Sequence, residues 1–270
     1  MLVALRNLVV ASLLTGLVLA GSSLGVGASS SVSAKTCTGG PIAGGTYTSL
    51  TIAGVCALNA GDVNVLGNVT LLPGSALVGA FHSGSLSAGG NLAVGSDAIL
   101  VLGCEPDAFP CLDDPDAVPS PFGGLTGGTL FSHDSVQNLA AIGALAVLVH
   151  NDAIRSNLVL QGGGGGVRCA PTIFGFPAYG TFEDNTIGAN ASVTGWRSCW
   201  LGFIRNQVTS NVTYSDNVVA DLDGNEVVTN TIGANLVCEG NSPAPQVGDS
   251  GGSLNTVGGT ASGQCAALAT

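Results

Sequence analysis

One six-residue pattern recurs through the second half of the chain and limits the folds open to it: Asn or Asp, any residue, Ile or Val, two residues, then Asn. It stands at Asp152/Ile154/Asn157, Asn185/Ile187/Asn190, Asn206/Val208/Asn211 and Asn230/Ile232/Asn235, with a degenerate copy at Asn255/Val257/Thr260. Starts at 152, 185, 206, 230 and 255 give steps of 33, 21, 24 and 25 residues. The first half repeats at a shift of 23 positions. Asn68 falls on Asn91, and Ala76-Leu77-Val78 falls on Ile99-Leu100-Val101. Short alternating stretches such as Asn211-Val212-Thr213-Tyr214 read as strands, and the Gly and Asn between them as turns at positive φ.

A repeat of this length built from short strands predicts an all-β, right-handed parallel β-helix, a solenoid with coils of about 21–25 residues. Leucine-rich repeats share the length but need a Leu consensus and a helical segment, and neither is present. A β-sandwich does not repeat its sequence at this interval. In a β-helix each Ile or Val enters a core shared with the coils above and below. Each Asn can bond the equivalent Asn of the next coil in an amide ladder.

Composition agrees. The hydrophobic share is 46%, too high for a disordered polar tract, while charged residues make up 9%. Acidic residues outnumber basic ones 17 to 6, so the surface repels nucleic acid and anionic lipid.

The N-terminus reads as an export signal. Arg6 precedes an apolar run from Leu8 to Ala20, and Val32-Ser33-Ala34 forms an A-x-A-like cleavage site. The expected organisation is a signal peptide over 1–34 and a single β-helix domain over 35–270. Insertion loops are expected near 104–125 and 169–181, and a C-terminal cap over 239–270. A retained N-terminal anchor is the alternative. Leu19-Ala20-Gly21-Ser22 carries Ser where a lipidated Cys would stand, which argues against a lipid anchor.

All eight cysteines follow Ala34, and no C-x-x-C pair occurs. In an exported chain this points to disulfides rather than a zinc site. Spacings near one coil favour Cys37–Cys56, Cys169–Cys199 and Cys238–Cys265, with Cys104–Cys111 closing a local loop. Other connectivities stay open at this point. Each bridge contributes about 2–4 kcal/mol.

Three segments carry a resemblance: Phe182 to Gly188, Gly195 to Phe203, and Cys238 to Pro245. They resemble a group of secreted actinomycete proteins that look like right-handed parallel β-helices and have no assigned activity. The resemblance spans most of the chain after Ala34. It implies the fold and export, and it brings no catalytic residues with it.

Chemistry is sparse. Asp113, Asp114 and Asp116, beside Cys104 and Cys111, are candidate Ca²⁺ ligands or a solvated insertion. Asp221-x-Asp223-Gly224-Asn225-Glu226 opens like an EF-hand loop, but Ile232 occupies the twelfth place, so a turn is the better reading. A glycoside hydrolase needs two carboxylates beside a cleft. Asp152 and Asp184 are the candidates, with Arg155, Arg197 and Arg205 available to acidic sugars. Trp196 and Trp200 suit a sugar-stacking platform or the core beside Cys199, and the core is favoured. His82, His133 and His150 are dispersed, and no nucleophile elbow accompanies them. Gly162–Gly166 lacks the Lys-Ser/Thr of a phosphate loop.

The expectation is therefore a secreted, non-catalytic structural or glycan-binding protein without a resident cofactor. Its partner is a cell-envelope or extracellular polysaccharide, and it has no membrane contact once the signal is cleaved. The alternative is a polysaccharide lyase or hydrolase on the same scaffold. A surface that binds ice or another crystal would need regular Thr columns, and only isolated cases such as Thr46-Tyr47-Thr48 are visible.

Overall fold

The computed structural model describes residues 32–79, 85–103, 134–173, 175–247 and 252–270. Ser33–Thr270 form one compact unit. Among the described residues, 24 strands join one continuous sheet, and no α-helix occurs. The strands stack in parallel on three faces; the first coils are formed by the long strands Gly40–Ile52 and Val55–Val65, which each run through more than one face, and later coils by short strands. The chain is a parallel β-helix.

Successive strands on the first face are Val69–Leu71, Asn91–Val94, Asn138–Ile142, Leu158–Gln161, Ala191–Thr194, Val212–Ser215, Leu236–Glu239 and Ala261–Gly263. The second face stacks Ala76–Val78, Ile99–Gly103, Ala146–His150, Tyr179–Glu183, Trp200–Ile204 and Asn225–Val228. The third stacks Ser135–Val136, Ala153–Ile154, Thr186–Ile187, Gln207–Val208, Thr231–Ile232 and Thr256–Val257. In the first half the pairs Ala76↔Ile99, Leu77↔Leu100 and Val78↔Val101 reproduce the 23-residue shift.

Alternation along each strand builds the core. On the first face Leu158 and Leu160 point inward and are buried, while Val159 points outward. The Ile or Val of the repeated pattern is buried at Ile154, Ile187, Val208 and Ile232, one above another on the third face. Phe182 and Phe203 fill the second face from inside, ring centroids 6.4 Å apart. Glycine follows the buried Ile at Gly188 and Gly233, where a Cβ would lie 2.1 Å from the Arg155 and Thr209 carbonyl oxygens of the coil below. These glycines serve close coil contact, not positive φ.

Glycine takes positive φ at the end of the first face, at Gly143 (68°), Gly162 (59°), Gly195 (68°), Gly240 (66°) and Gly263 (63°), as its turn role predicts, whereas the corner after the second face differs. The ladder asparagines themselves do not take positive φ. The residue before them does: Asn151 (57°), Asp184 (56°), Arg205 (56°) and Thr229 (57°). Side chains that bond into the ladder stabilise this left-handed column without glycine.

Three disulfides join Cys37–Cys56, Cys169–Cys199 and Cys238–Cys265, with Cα separations of 6.3, 4.5 and 5.3 Å. Cys104 and Cys111 lie outside the described residues. The pairs are those the spacing favoured, but the geometry differs from simple stacking. Cys37 pairs in the sheet with Ile52 on the first face, whereas Cys56 sits on the second face beside Gly40 and Leu77. This bridge spans the corner between the two faces, from one coil to the next. Cys238–Cys265 closes the other end.

The tail continues the helix further than a cap would. Thr256–Val257 and Ala261–Gly263 extend two faces. Then Cys265–Thr270 fold back, with the Asn255 N–H donating to the Leu268 carbonyl (2.8 Å), the Thr270 N–H donating to the Asn255 carbonyl (2.9 Å), and Leu268 packing on the core. The insertion expected at 169–181 contains a separate antiparallel pair, Pro171–Ile173 with Phe176–Pro177, and Tyr179 already belongs to the second face. The insertion expected at 104–125 lies outside the described residues, and the coil resumes at Asp134.

Candidate functional site

Two ladders grow from the repeated pattern, one at each end of it. The last Asn of each copy forms an exposed outer ladder where the third face turns into the first. Asn190 Nδ2 donates to Asn157 Oδ1 (3.3 Å), Asn211 Nδ2 to Asn190 Oδ1 (3.1 Å) and Asn235 Nδ2 to Asn211 Oδ1 (3.0 Å). Each amide carries two N–H donors, and these bonds use one of them.

Beside this ladder the first face presents a column of outward side chains, one per coil, with a second outward position at the strand ends (Gln161, Thr194, Ser215, Glu239). The column runs from Thr51 and Thr70 through Ala93, Ala140 and Val159 to Ser192, Thr213, Val237 and Ser262. Every member is small and uncharged. Hydroxyls and methyls are mixed, so this is no regular Thr array. Between ladder and column runs an open groove of about 570 Å³, lined by Asn190, Asn211, Asn235, Ser192, Thr213 and Ser262 among others. No ionisable side chain lines it.

The first residue of each copy forms a second, buried ladder where the second face turns into the third. Asn185, Asn206, Asn230 and Asn255 each accept the backbone N–H of the ladder residue one coil earlier, at 2.8–3.1 Å. Their Nδ2 groups donate to the Val149, Phe182, Phe203 and Val227 carbonyls. Asp152 and Asp134 continue the same column.

Ionisable groups gather around this corner rather than in the groove. Arg205 Nε donates to Asp184 Oδ1 (2.9 Å), and its Nη2 donates to Asp184 Oδ2 (3.0 Å) and Glu183 Oε2 (2.7 Å). This forked pair fixes both partners. Burial raises the Asp184 pKa from its ordinary value, against the pull of Arg205. Thr181 Oγ1 donates to Glu183 Oε1 at 2.7 Å. His150 is buried nearby, and burial lowers its pKa although Glu183 and Asp184 favour the cation. Asp152 and Asp184 therefore do not flank a cleft. Asp152 is 3% exposed inside the ladder, and Asp184 is bound to Arg205.

The other candidates lie apart from this corner. Arg197 is exposed where the first face turns into the second, on a short strand paired with Val218–Val219. Trp196 is fully buried, and its Nε1 donates to Ser198 Oγ (2.8 Å). Trp200 lies on the outside of the second face, edge-to-face with Tyr179 at 6.2 Å. Its indole crosses Gly202 and Gly224, where a Cβ would come within 2.3 and 2.5 Å of the ring. Asp113, Asp114 and Asp116, the expected Ca²⁺ ligands, lie outside the described residues. Asp221–Gly224 is a turn closed by the Gly224 N–H donating to the Asp221 carbonyl (3.3 Å), and Asn225 and Glu226 open the second-face strand and are buried.

Sequence reasoning missed Asp134 and Glu183. Asp134 opens another copy of the pattern, Asp134/Val136/Asn138, in which the second ladder position comes one residue early. A search at fixed spacing passes over it. Glu183 carries no position in the repeated pattern, and only the stacking of coils brings it to Arg205. Among the described residues no helix is long and apolar enough to cross a membrane. Comparison with protein-family models, with curated proteins and with solved structures returned no match.

Proposed function

We propose that this chain is a secreted, non-catalytic β-helix that binds a neutral extracellular polysaccharide along its first face. The observation that carries this reading is the groove. One wall is amides repeating once per coil, about 4.8 Å apart, the other mixes the hydroxyls of Ser192, Thr213 and Ser262 with Val237, and the groove holds no ionisable side chain. Sugars offer hydroxyl donors and acceptors at every residue. An array of fixed amides and hydroxyls meets them with many modest contacts. A net charge of -11 disfavours an anionic chain. The clustered carboxylates are ladder rungs and ion-pair partners, which suits a scaffold better than a hydrolase. Disulfides at both ends fit an oxidising compartment.

The test is sedimentation of the protein with insoluble neutral polysaccharides, alongside an assay for released reducing ends. Thr213→Arg places a long side chain in the groove without touching the core. Binding should fall by about tenfold or more, equivalent to about 1.4 kcal/mol, with the melting temperature unchanged. Release of reducing ends, abolished in Asp184→Asn, would replace this reading with the enzymatic one. Binding unaffected by Thr213→Arg would remove the groove from it.

A further inference from the structure

The buried ladder is built from asparagine in every coil from Asn185 onward, and from aspartate in the two coils before it. An asparagine rung does two things. Its Oδ1 accepts the N–H of the previous rung, and its Nδ2 donates to a carbonyl on the second face one coil back: Asn185 to Val149, Asn206 to Phe182, Asn230 to Phe203 (all 2.8 Å) and Asn255 to Val227 (2.9 Å). Asp152 retains the first function, since its Oδ1 accepts the Asp134 N–H at 3.0 Å. Where the others carry Nδ2 it carries Oδ2, which is buried and has no hydrogen-bond partner among the described residues. Leu102 pairs with Val149, so the Leu102 carbonyl is the register equivalent of the acceptor that Asn185 uses.

We propose that Asp152 is a carboxylic acid rung: its Oδ2–H replaces the amide N–H and donates to the Leu102 carbonyl, and loss of that proton opens this corner of the coil. A carboxylate there would set oxygen against oxygen in a site closed to water. A neutral acid supplies the missing donor with almost no change of shape.

The charged neighbours favour the same state. From the coil below, Asp134 faces Asp152, and its two oxygens accept the Leu86 N–H (2.6 Å) and the Gly103 N–H (3.1 Å). From the coil above, the partner is the neutral Asn185. His150, on the preceding strand, faces Glu183, Asp184 and Arg205. Burial, and then Asp134, raise the Asp152 pKa well above its ordinary value, and burial pushes Asp134 up to about 7. Both groups bind protons more tightly folded than unfolded. Their contribution to stability is fully present below about pH 4 and is lost as pH rises through about 7 and beyond.

Melting temperatures of the wild-type chain and of Asp152→Asn, followed from pH 4 to 9, test this. The variant carries the donor permanently. It should melt about 5 °C or more above wild type at pH 8.5 and approach it near pH 4, with a flattened pH profile. Infrared spectra should show a protonated carboxyl band in wild type at neutral pH that weakens in Asp152→Asn. Asp152→Leu, which loses both donor and acceptor, should be less stable at every pH. A variant no more stable than wild type above pH 7 would overturn the proposal. So would a pH dependence that survives in Asp152→Asn and disappears in Asp134→Asn.

Discussion

Asn206→Leu should lose about 4 kcal/mol of unfolding free energy in urea titrations, although leucine matches asparagine closely in size and is far more apolar. The side chain satisfies four groups. Its Oδ1 accepts the Asn185 N–H (3.1 Å) and Asn185 Nδ2 (3.0 Å), and its Nδ2 donates to the Phe182 carbonyl (2.8 Å) and Asn230 Oδ1 (3.1 Å). All of these are buried. Leucine leaves the Asn185 N–H and the Phe182 carbonyl without partners where water does not reach, at about 1–3 kcal/mol each. The hydrophobic gain of leucine does not offset this. The outer ladder supplies the control. Asn211 makes the same kind of contacts at an exposed corner, so Asn211→Leu should cost about 1 kcal/mol or less because water replaces the lost bonds. Equal losses at the two positions would mean that burial of the inner ladder does not set its energetic weight.

The second large effect is expected at Phe203→Ala, at about 3–5 kcal/mol. Phe203 is fully buried, stacks over Phe182 at 6.4 Å and pairs in the sheet with Phe182 below and Val227 above. In a solenoid the core of one coil is also the floor of the next, so the cavity removes contacts from both neighbours. The sheet cannot collapse into the space without breaking the register of the ladders on either side. Thermal unfolding should move to lower temperature as a single transition. Two separate transitions would show that the coils before and after Phe203 unfold independently.

The first prediction rests on a feature that was legible in the sequence. The pattern from Asp152 to Thr260 marks the two ladders because a β-helix repeats its own hydrogen bonds. A rung can therefore be recognised by recurrence without knowing what it bonds. The cysteine pairs were legible for a weaker reason. One coil of chain separates Cys37 from Cys56, yet the bridge spans a corner between two faces instead of running along one. Other features were hidden. Asp134 follows a long insertion, and its copy of the pattern is one residue short. Glycine fills the left-handed corner after the first face as expected, but after the second face the chain also uses Arg205 and Thr229, which local propensity disfavours and tertiary bonds hold in place. The Glu183–Asp184–Arg205 cluster depends on which side chains of adjacent coils meet. No spacing along the chain encodes that. The groove was not legible either. Its members Ser192, Thr213 and Ser262 are unremarkable one at a time and become a surface only when stacked.

The claim beneath all of this is the register of the coils. It is tested most directly by introduced cysteine pairs on the outward column of the first face. Thr213 pairs with Val237 on adjacent coils, whereas Ser192 and Val237 stand two coils apart. Adjacent strands bring Cα atoms to about 4.8 Å, within the range a disulfide accepts, and twice that distance lies outside it. Thr213→Cys combined with Val237→Cys should close a new disulfide on mild oxidation, recovered as one linked peptide pair in a non-reduced digest. Ser192→Cys combined with Val237→Cys should remain as thiols. Cross-linking of the second pair, or none in the first, would contradict the stacked helix itself.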